Sequence, residues 1–416
     1  MTIKVPYGRE SIPVEVPEKN VLAVVEPNEV PEREGSMVIA EALARPIKLP
    51  HLEAFLAGAK SVLVIVNDAT RPTPTETMLD SLLPKLAGLD VRFLVATGAH
   101  RAPNQDEWRQ IFGRHYAELE GKLYAHDSRD DSKMIFLGRT RNGTEIILNK
   151  MIFESDRIIV TGSVEPHYFA GYTGGRKAFF PGCAAFRTIE QNHRRALSSD
   201  ARSLKIGGNP VSEDMTDALS LVTAPVFSLM AVLDRHQHIA YAFAGGIEPA
   251  FDAAVEKARA IFAVPIPQRA DIVVSAVRYP MDIDLYQSQK AIDNGTLAVK
   301  EGGILILVST CRDGTGDKAY IDLLSSTRSP REALEKIDKG YRLGYHKAAK
   351  MALASIHSRL WGVTDLPQET LRGVFIEPKS GVAEALHEAL DLMGPDSRVL
   401  FLLDGSVTVP LLPGCA

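Results

Sequence analysis

The chain has 416 residues, 45% hydrophobic and 24% charged, which suits two globular domains and excludes a disordered or fibrous chain. A formal net charge of −5 gives no electrostatic footprint for nucleic acid or an anionic membrane. No apolar run reaches the ~18 residues that span a bilayer and the first residues carry no signal-peptide core, so the reading is a cytoplasmic protein with no membrane partner.

In chain order, residues 61–68, 91–100 and 157–163 are apolar runs of strand length that end in polar residues. Helical patterns occupy 76–89, 105–112, 185–197 and 249–263. Pro265 and Pro267 then mark a linker, because proline removes a backbone donor and restrains its neighbour. A second series follows, with strands at 271–277, 302–310, 373–378 and 398–406 and helices near 285–299, 345–358 and 382–393. Continuous apolar strands separated by helices predict mostly parallel sheets covered on both faces. The expectation is two α/β domains: an N-terminal cofactor-binding domain over 1–268 and a C-terminal domain over 269–416 that closes over the substrate, with the active site in the cleft between them. Cys183, Cys311 and Cys415 are too few and too scattered for a disulfide framework or a thiolate metal site.

In such sheets ligands bind outside the carboxyl ends of the strands. Asp68, Thr70 and Arg71 follow the first run, His100 and Arg101 the second, and Glu165 and His167 the third. Three such loops at equivalent ends point to one shared cleft. Asp68 and Thr70 also suit capping of the helix after Pro74, and Arg71 suits either a surface ion pair or a clamp on carboxylate or phosphate. Either histidine alone is more often structural, whereas a pair can supply a base on each side of a substrate.

Gly171, Gly174 and Gly175 precede Lys177, as in loops whose backbone amides approach an anion. The pattern is neither a Walker A loop nor GxGxxG, which disfavours an ATPase and a standard dinucleotide site. Lys177 reads either as part of a solvated Arg-Lys pair or as a desolvated amine fit for covalent attachment. His193 reads as an exposed helix histidine or as a metal ligand whose remaining donors come from a cofactor; no HExxH accompanies it. In the second half, helical spacing puts Tyr286, Gln289 and Lys290 on one face with Gln287 beside it. Cys311 has no activating neighbour in sequence and is not read as a nucleophile.

DATRPTP, ATGAHR, PHYFAGYTGGRK, QNH and YQSQK, in that order along most of the chain, resemble the nickel-dependent lactate racemase family. The resemblance implies a racemase or epimerase of 2-hydroxy acids that uses nickel held in a pincer by pyridinium-3,5-bisthiocarboxylic acid mononucleotide. It puts the cofactor-tethering lysine, through a thioamide bond, on Lys177 and the nickel-binding histidine on His193. The two acid–base histidines fall on His100 and His167. Asp68, Thr70, the glycines at 171, 174 and 175, and Tyr286 are assigned to the cofactor. Arg71, Gln287, Lys290, Phe169 and, by a looser match, Trp361 are assigned to the substrate. The implied partners are a small 2-hydroxy acid and the cofactor-synthesis and nickel-insertion proteins that mature the enzyme. Lactate is the default substrate, and Tyr168 and Phe169 are expected to shape the pocket for the group beyond C2. Two other readings compete: a carboxylate- or phosphate-binding protein without catalysis, which leaves His100, His167 and Lys177 no joint purpose, and an NAD-type 2-hydroxy acid dehydrogenase, for which the chain lacks GxGxxG.

Overall fold

The computed structural model describes residues 1–414, so Cys415 lies outside the described residues. The chain divides into two compact units, one of Glu29–Ile261 and the other of Met1–Asn28 together with the chain from Phe262 onward.

In the 29–261 unit, a six-stranded sheet runs in the order Ile239–Gly245, Val226–Leu233, Arg157–Ser163, Ser61–Asn67, Asp90–Ala96, Leu123–Ala125. All neighbours are parallel except the outermost pair, Ile239–Gly245 against Val226–Leu233. The central strands are runs such as VLVIV, fully buried from Val62 to Val66, as expected where helices cover both faces. Val62, Val64, Val66, Phe93 and Val95 pack with Met78, Leu79 and Phe112 in one apolar cluster. The helix Thr75–Leu82 is shorter than its pattern over 76–89, since Pro84 cannot donate and the chain tightens into a 3-10 turn over Leu83–Leu86. The helix Gln105–Phe112 begins with a full capping box between Asn104 and Glu107. Register decides where the loops emerge: Val66 lies opposite Val95 and Ile65 opposite Val160, so three neighbouring strands end at one edge.

The other unit holds an all-parallel sheet in the order Glu377–Pro378, Arg359–Val363, Val299–Val308, Ala270–Ala276, Val399–Leu402, Val21–Val25. The last strand corrects the expected boundary. The run VLAVV pairs with Val399–Leu402, and the hairpin Thr2–Tyr7/Glu10–Glu15 puts Ile3, Val5 and Val14 into the same apolar cluster as Ile272, Val274 and Phe401. Residues 1–28 therefore belong with the C-terminal sheet, whose edge they pair. The proline-marked segment is also less open than expected, because Ala263–Pro265 forms a parallel pair with Val409–Leu411. Of the stretch 373–378, only Glu377–Pro378 is strand. No helix among the described residues is long and apolar enough to cross a membrane.

Candidate active site

The loop after Ser61–Asn67 brings Asp68 to the next strand end. Asp68 is 8% exposed, and its Oδ2 accepts a hydrogen bond from His100 Nδ1 at 2.7 Å. Thr70 Oγ1 donates to the other carboxylate oxygen, also at 2.7 Å. Burial pushes the Asp68 carboxyl up, but the hydrogen bond and charge of His100, the Arg71 cation and the Thr70 hydroxyl outweigh it and hold the group below the usual carboxylate range. Asp68 is thus a carboxylate that fixes the His100 ring and leaves Nε2 as the far ring atom. It is not a helix cap: Thr75–Leu82 begins after Pro74 with no side-chain cap. Arg71 faces Glu165, with Nη1 4.0 Å from Oε1. Thr73 Oγ1 donates to Asn67 at 2.9 Å and lies 2.9 Å from Ser163 Oγ, which stitches this loop to the third strand.

His167 has a different setting. Pro166–His167 pairs antiparallel with Gly171–Tyr172, forming a short hairpin around Tyr168, Phe169 and Ala170. His167 is 7% exposed, and its Nδ1 accepts from the Ala170 backbone N–H at 3.2 Å. The neutral ring therefore carries its proton on Nε2. Tyr168 stacks on it at 5.0 Å between centroids, and Phe169 meets it edge-on at 4.6 Å. Phe169 also meets His193 edge-on at 5.0 Å, so one aromatic ring separates the two histidines.

The glycines that follow are required by the fold. Gly171 and Gly174 have φ of 79° and 81°, and a Cβ there would meet Lys205 O at 2.2 Å and Val164 Cγ2 at 2.6 Å. Gly175 similarly lies against the Phe251 ring. Lys177 stands on the 3-10 turn Gly175–Ala178, half-buried. Its neighbour Arg176 is not solvated. It is buried, donates to Ser212 Oγ at 2.5 Å and lies 4.8 Å from the Phe251 ring centroid.

His193 lies on the helix Phe186–Arg194. The protein packed around its ring pushes its pKa down to about 3, and the nearby Lys177 cation and His100 push the same way. The imidazole is neutral at any physiological pH, as a metal ligand must be. Buried Asp214 anchors this helix, accepting from Thr140 at 2.8 Å, Thr144 at 2.5 Å and Arg195 Nε at 2.8 Å. Asn192, beside His193, donates to Val211 O at 3.1 Å. Among the described residues no three His, Cys, Asp or Glu side chains group so as to hold a metal ion. Lys177 and His193 within electrostatic reach of each other suit a metal whose other donors come from an attached organic group.

In the other unit, the helix Leu285–Ala298 carries Tyr286, Gln287 and Lys290, and Asp284 caps it by accepting from Gln287 N at 2.7 Å. Gln289 leaves the expected polar face, since it is fully buried and donates to Lys347 O at 2.8 Å. Trp361 is buried as well. It sits mid-strand in Arg359–Val363, 6% exposed, in the apolar cluster with Ile306, Val382 and Leu386, and Lys379 Nζ lies 4.0 Å from its ring centroid. Its indole lies in the apolar core of this unit. Burial pushes the Cys311 thiol up to about 11, which leaves no thiolate for attack.

Residues 7–204 match the lactate racemase N-terminal domain family and residues 266–409 the lactate racemase C-terminal domain family. The chain belongs to the lactate racemase family. Lactate racemases of Thermoanaerobacterium thermosaccharolyticum and Lactiplantibacillus plantarum are each 29% identical to it over 97% of this chain, covering 97% and 98% of their own lengths. The structure of the lactate racemase apoprotein from T. thermosaccharolyticum superposes with a TM-score of 0.93 at 29% identity, over 99% of this chain and 100% of the other. A Thermotoga maritima protein at 18% identity and TM-score 0.70 shares the fold. Family membership makes the chain a racemase, an isomerase by reaction class.

Within this racemase fold, the structure adds residues that the motifs did not single out. Asp214 had a local signal: in Pro210–Ser220 it shares the face of Val211, Met215 and Ala218, where an acidic residue must be buried with partners. Arg176 had none, since nothing in GGRK separates a buried arginine from a solvated one. Lys347, 2% exposed, lies on Tyr345–His357, in a segment that no recognised motif includes.

Proposed function

We propose that the chain interconverts the enantiomers of a short 2-hydroxy acid, with lactate the first candidate, using His100 and His167 as the two proton carriers. The observation that carries this reading is the supported pair of histidines at neighbouring strand ends, one held by a buried carboxylate and one by a backbone amide. Arg71, with Glu165 opposite, holds the substrate carboxylate. One histidine accepts the hydroxyl proton as C2 is oxidised. The other returns a proton to the 2-oxo acid as C2 is reduced from its opposite face, so no net redox change remains. Lys177 anchors the nickel-pincer mononucleotide and His193 supplies a protein ligand to its nickel. When bound, that group serves as hydride acceptor and donor. Loading requires the cofactor-synthesis and nickel-insertion proteins.

The test uses enantiopure lactate and larger 2-hydroxy acids, C2-deuterated, with enzyme matured by co-expression. Racemisation with the label kept at C2 supports hydride return. Washout of label into water, or no racemisation by enzyme shown to hold nickel and a mass adduct, sinks the reading. Replacing Lys177 by Ala should abolish the adduct in intact-protein mass spectrometry.

A further inference from the structure

The C-terminal unit buries a lysine for which the reading above has no use. Lys347 is 2% exposed and points from Tyr345–His357 at the first turn of Leu285–Ala298. Its ammonium donates to the Tyr286 carbonyl oxygen and lies 3.9 Å from the centroid of the Tyr286 ring. The backbone of the same lysine takes the Gln289 side-chain amide at 2.8 Å. Tyr286 is held from other sides too: its N–H donates to Thr315 O at 3.2 Å, and Tyr320 meets its ring at 6.1 Å. Burying an ammonium is expensive, so a chain that only needed two helices to pack would use an apolar side chain here. Burial pushes the Lys347 pKa down, Asp293 pulls it back up, and the Lys290 cation pushes it down again. Asp293 keeps a buried Oδ2 with no hydrogen-bond partner, and burial raises its pKa against the pull of Lys350 and Lys347. This is an electrostatic arrangement kept at a cost, centred on the ring and carbonyl of Tyr286.

We propose that Lys347 is a positioning residue for Tyr286: it grips the carbonyl and the ring face together and so fixes the side chain that begins the Tyr286–Lys290 face. The ammonium's hydrogen bond sets the first helical turn, and its contact with the π face selects one ring orientation. Lys347 thus acts through Tyr286 without touching substrate. The inference rests on the assignment of Tyr286 to the cofactor and substrate region, and its test has one arm independent of that assignment.

Lys347→Met combined with Asp293→Asn removes both buried charges and leaves the half-buried Lys350 cation, and the melting temperature checks the fold. In matured enzyme this change should lower kcat/KM about tenfold or more, with the mass adduct at Lys177 retained. In a Tyr286→Leu background the same change should cost less than about threefold, the non-additivity expected of residues that act as one unit. Equal fractional losses in both backgrounds, or no loss in the first, would overturn the proposal. The independent arm places 3-fluorotyrosine at position 286 in the unloaded chain. Its fluorine resonance should be single and narrow, then shift and broaden on Lys347→Met/Asp293→Asn. An unchanged resonance refutes the positioning role, whatever the enzyme's activity proves to be.

Discussion

The loop carrying His100 and the hairpin carrying His167 present the same ring in opposite ways. His100 is half-exposed, and a buried carboxylate holds its Nδ1 proton. His167 is buried among Tyr168 and Phe169, and a backbone N–H occupies its Nδ1 lone pair. The first setting anchors the ring through a carboxylate and leaves Nε2 as its far atom; the second fixes tautomer and orientation through a backbone amide. A racemase needs one proton acceptor and one donor at the start of each turnover. Under the roles proposed above, unequal surroundings distinguish two otherwise identical side chains.

Removing either ring tests this comparison most severely. His100→Ala and His167→Ala should each lower kcat by roughly 10²–10⁴-fold while keeping the adduct at Lys177, measured by polarimetry and intact mass. A loss confined to one of them would mean a single-base enzyme. Asp68→Asn should come next, with a loss of about 10–10²-fold, because it removes the charge facing only one ring. The two enantiomers are equal in energy, so kcat/KM must fall equally in both directions. The asymmetry belongs in kcat and KM separately and in the C2-deuterium isotope effect of each direction. Identical changes for both enantiomers would erase the distinction between the two settings.

The same carboxylate sets a pH dependence of stability. Asp68 titrates below its unfolded value of about 3.9, so between the two the folded chain binds fewer protons than the unfolded one. Its stabilising contribution is complete above about pH 4 and is lost as pH falls through the lower folded value. Melting temperatures across that acid range should fall less steeply with acid in Asp68→Asn than in the parent. The smallest effect is expected from Glu165→Gln. With the 4.0 Å pairing to Arg71 weakened, KM should rise a few-fold with kcat nearly unchanged. A large kcat loss would instead place Glu165 with the proton carriers.

Much of this is legible in the sequence. The apolar runs that became Ser61–Asn67, Asp90–Ala96 and Arg157–Ser163 announced a parallel sheet, and the polar residues after each announced a shared edge. Motif order carried the family. Such features are local: strand burial, helix periodicity and proline stops act over a few residues, and the chain states them directly. What the chain could not state was which distant residues meet. Val21–Val25 adds to a strand some 380 residues away, which returns the first 28 residues to the C-terminal unit. The burial of Trp361 likewise follows from strand pairing, which sets it mid-sheet in the apolar cluster. Asp68 reads equally well as a helix cap until the register of two strands sets it against His100. The burial of Arg176 and Lys347 is of the same kind, since the cost of desolvating a cation is visible only once its surroundings exist. The sequence alone therefore determined the elements and the chemical types at their ends, and the tertiary structure decided the pairings, because proximity across hundreds of residues is a property of the packed chain.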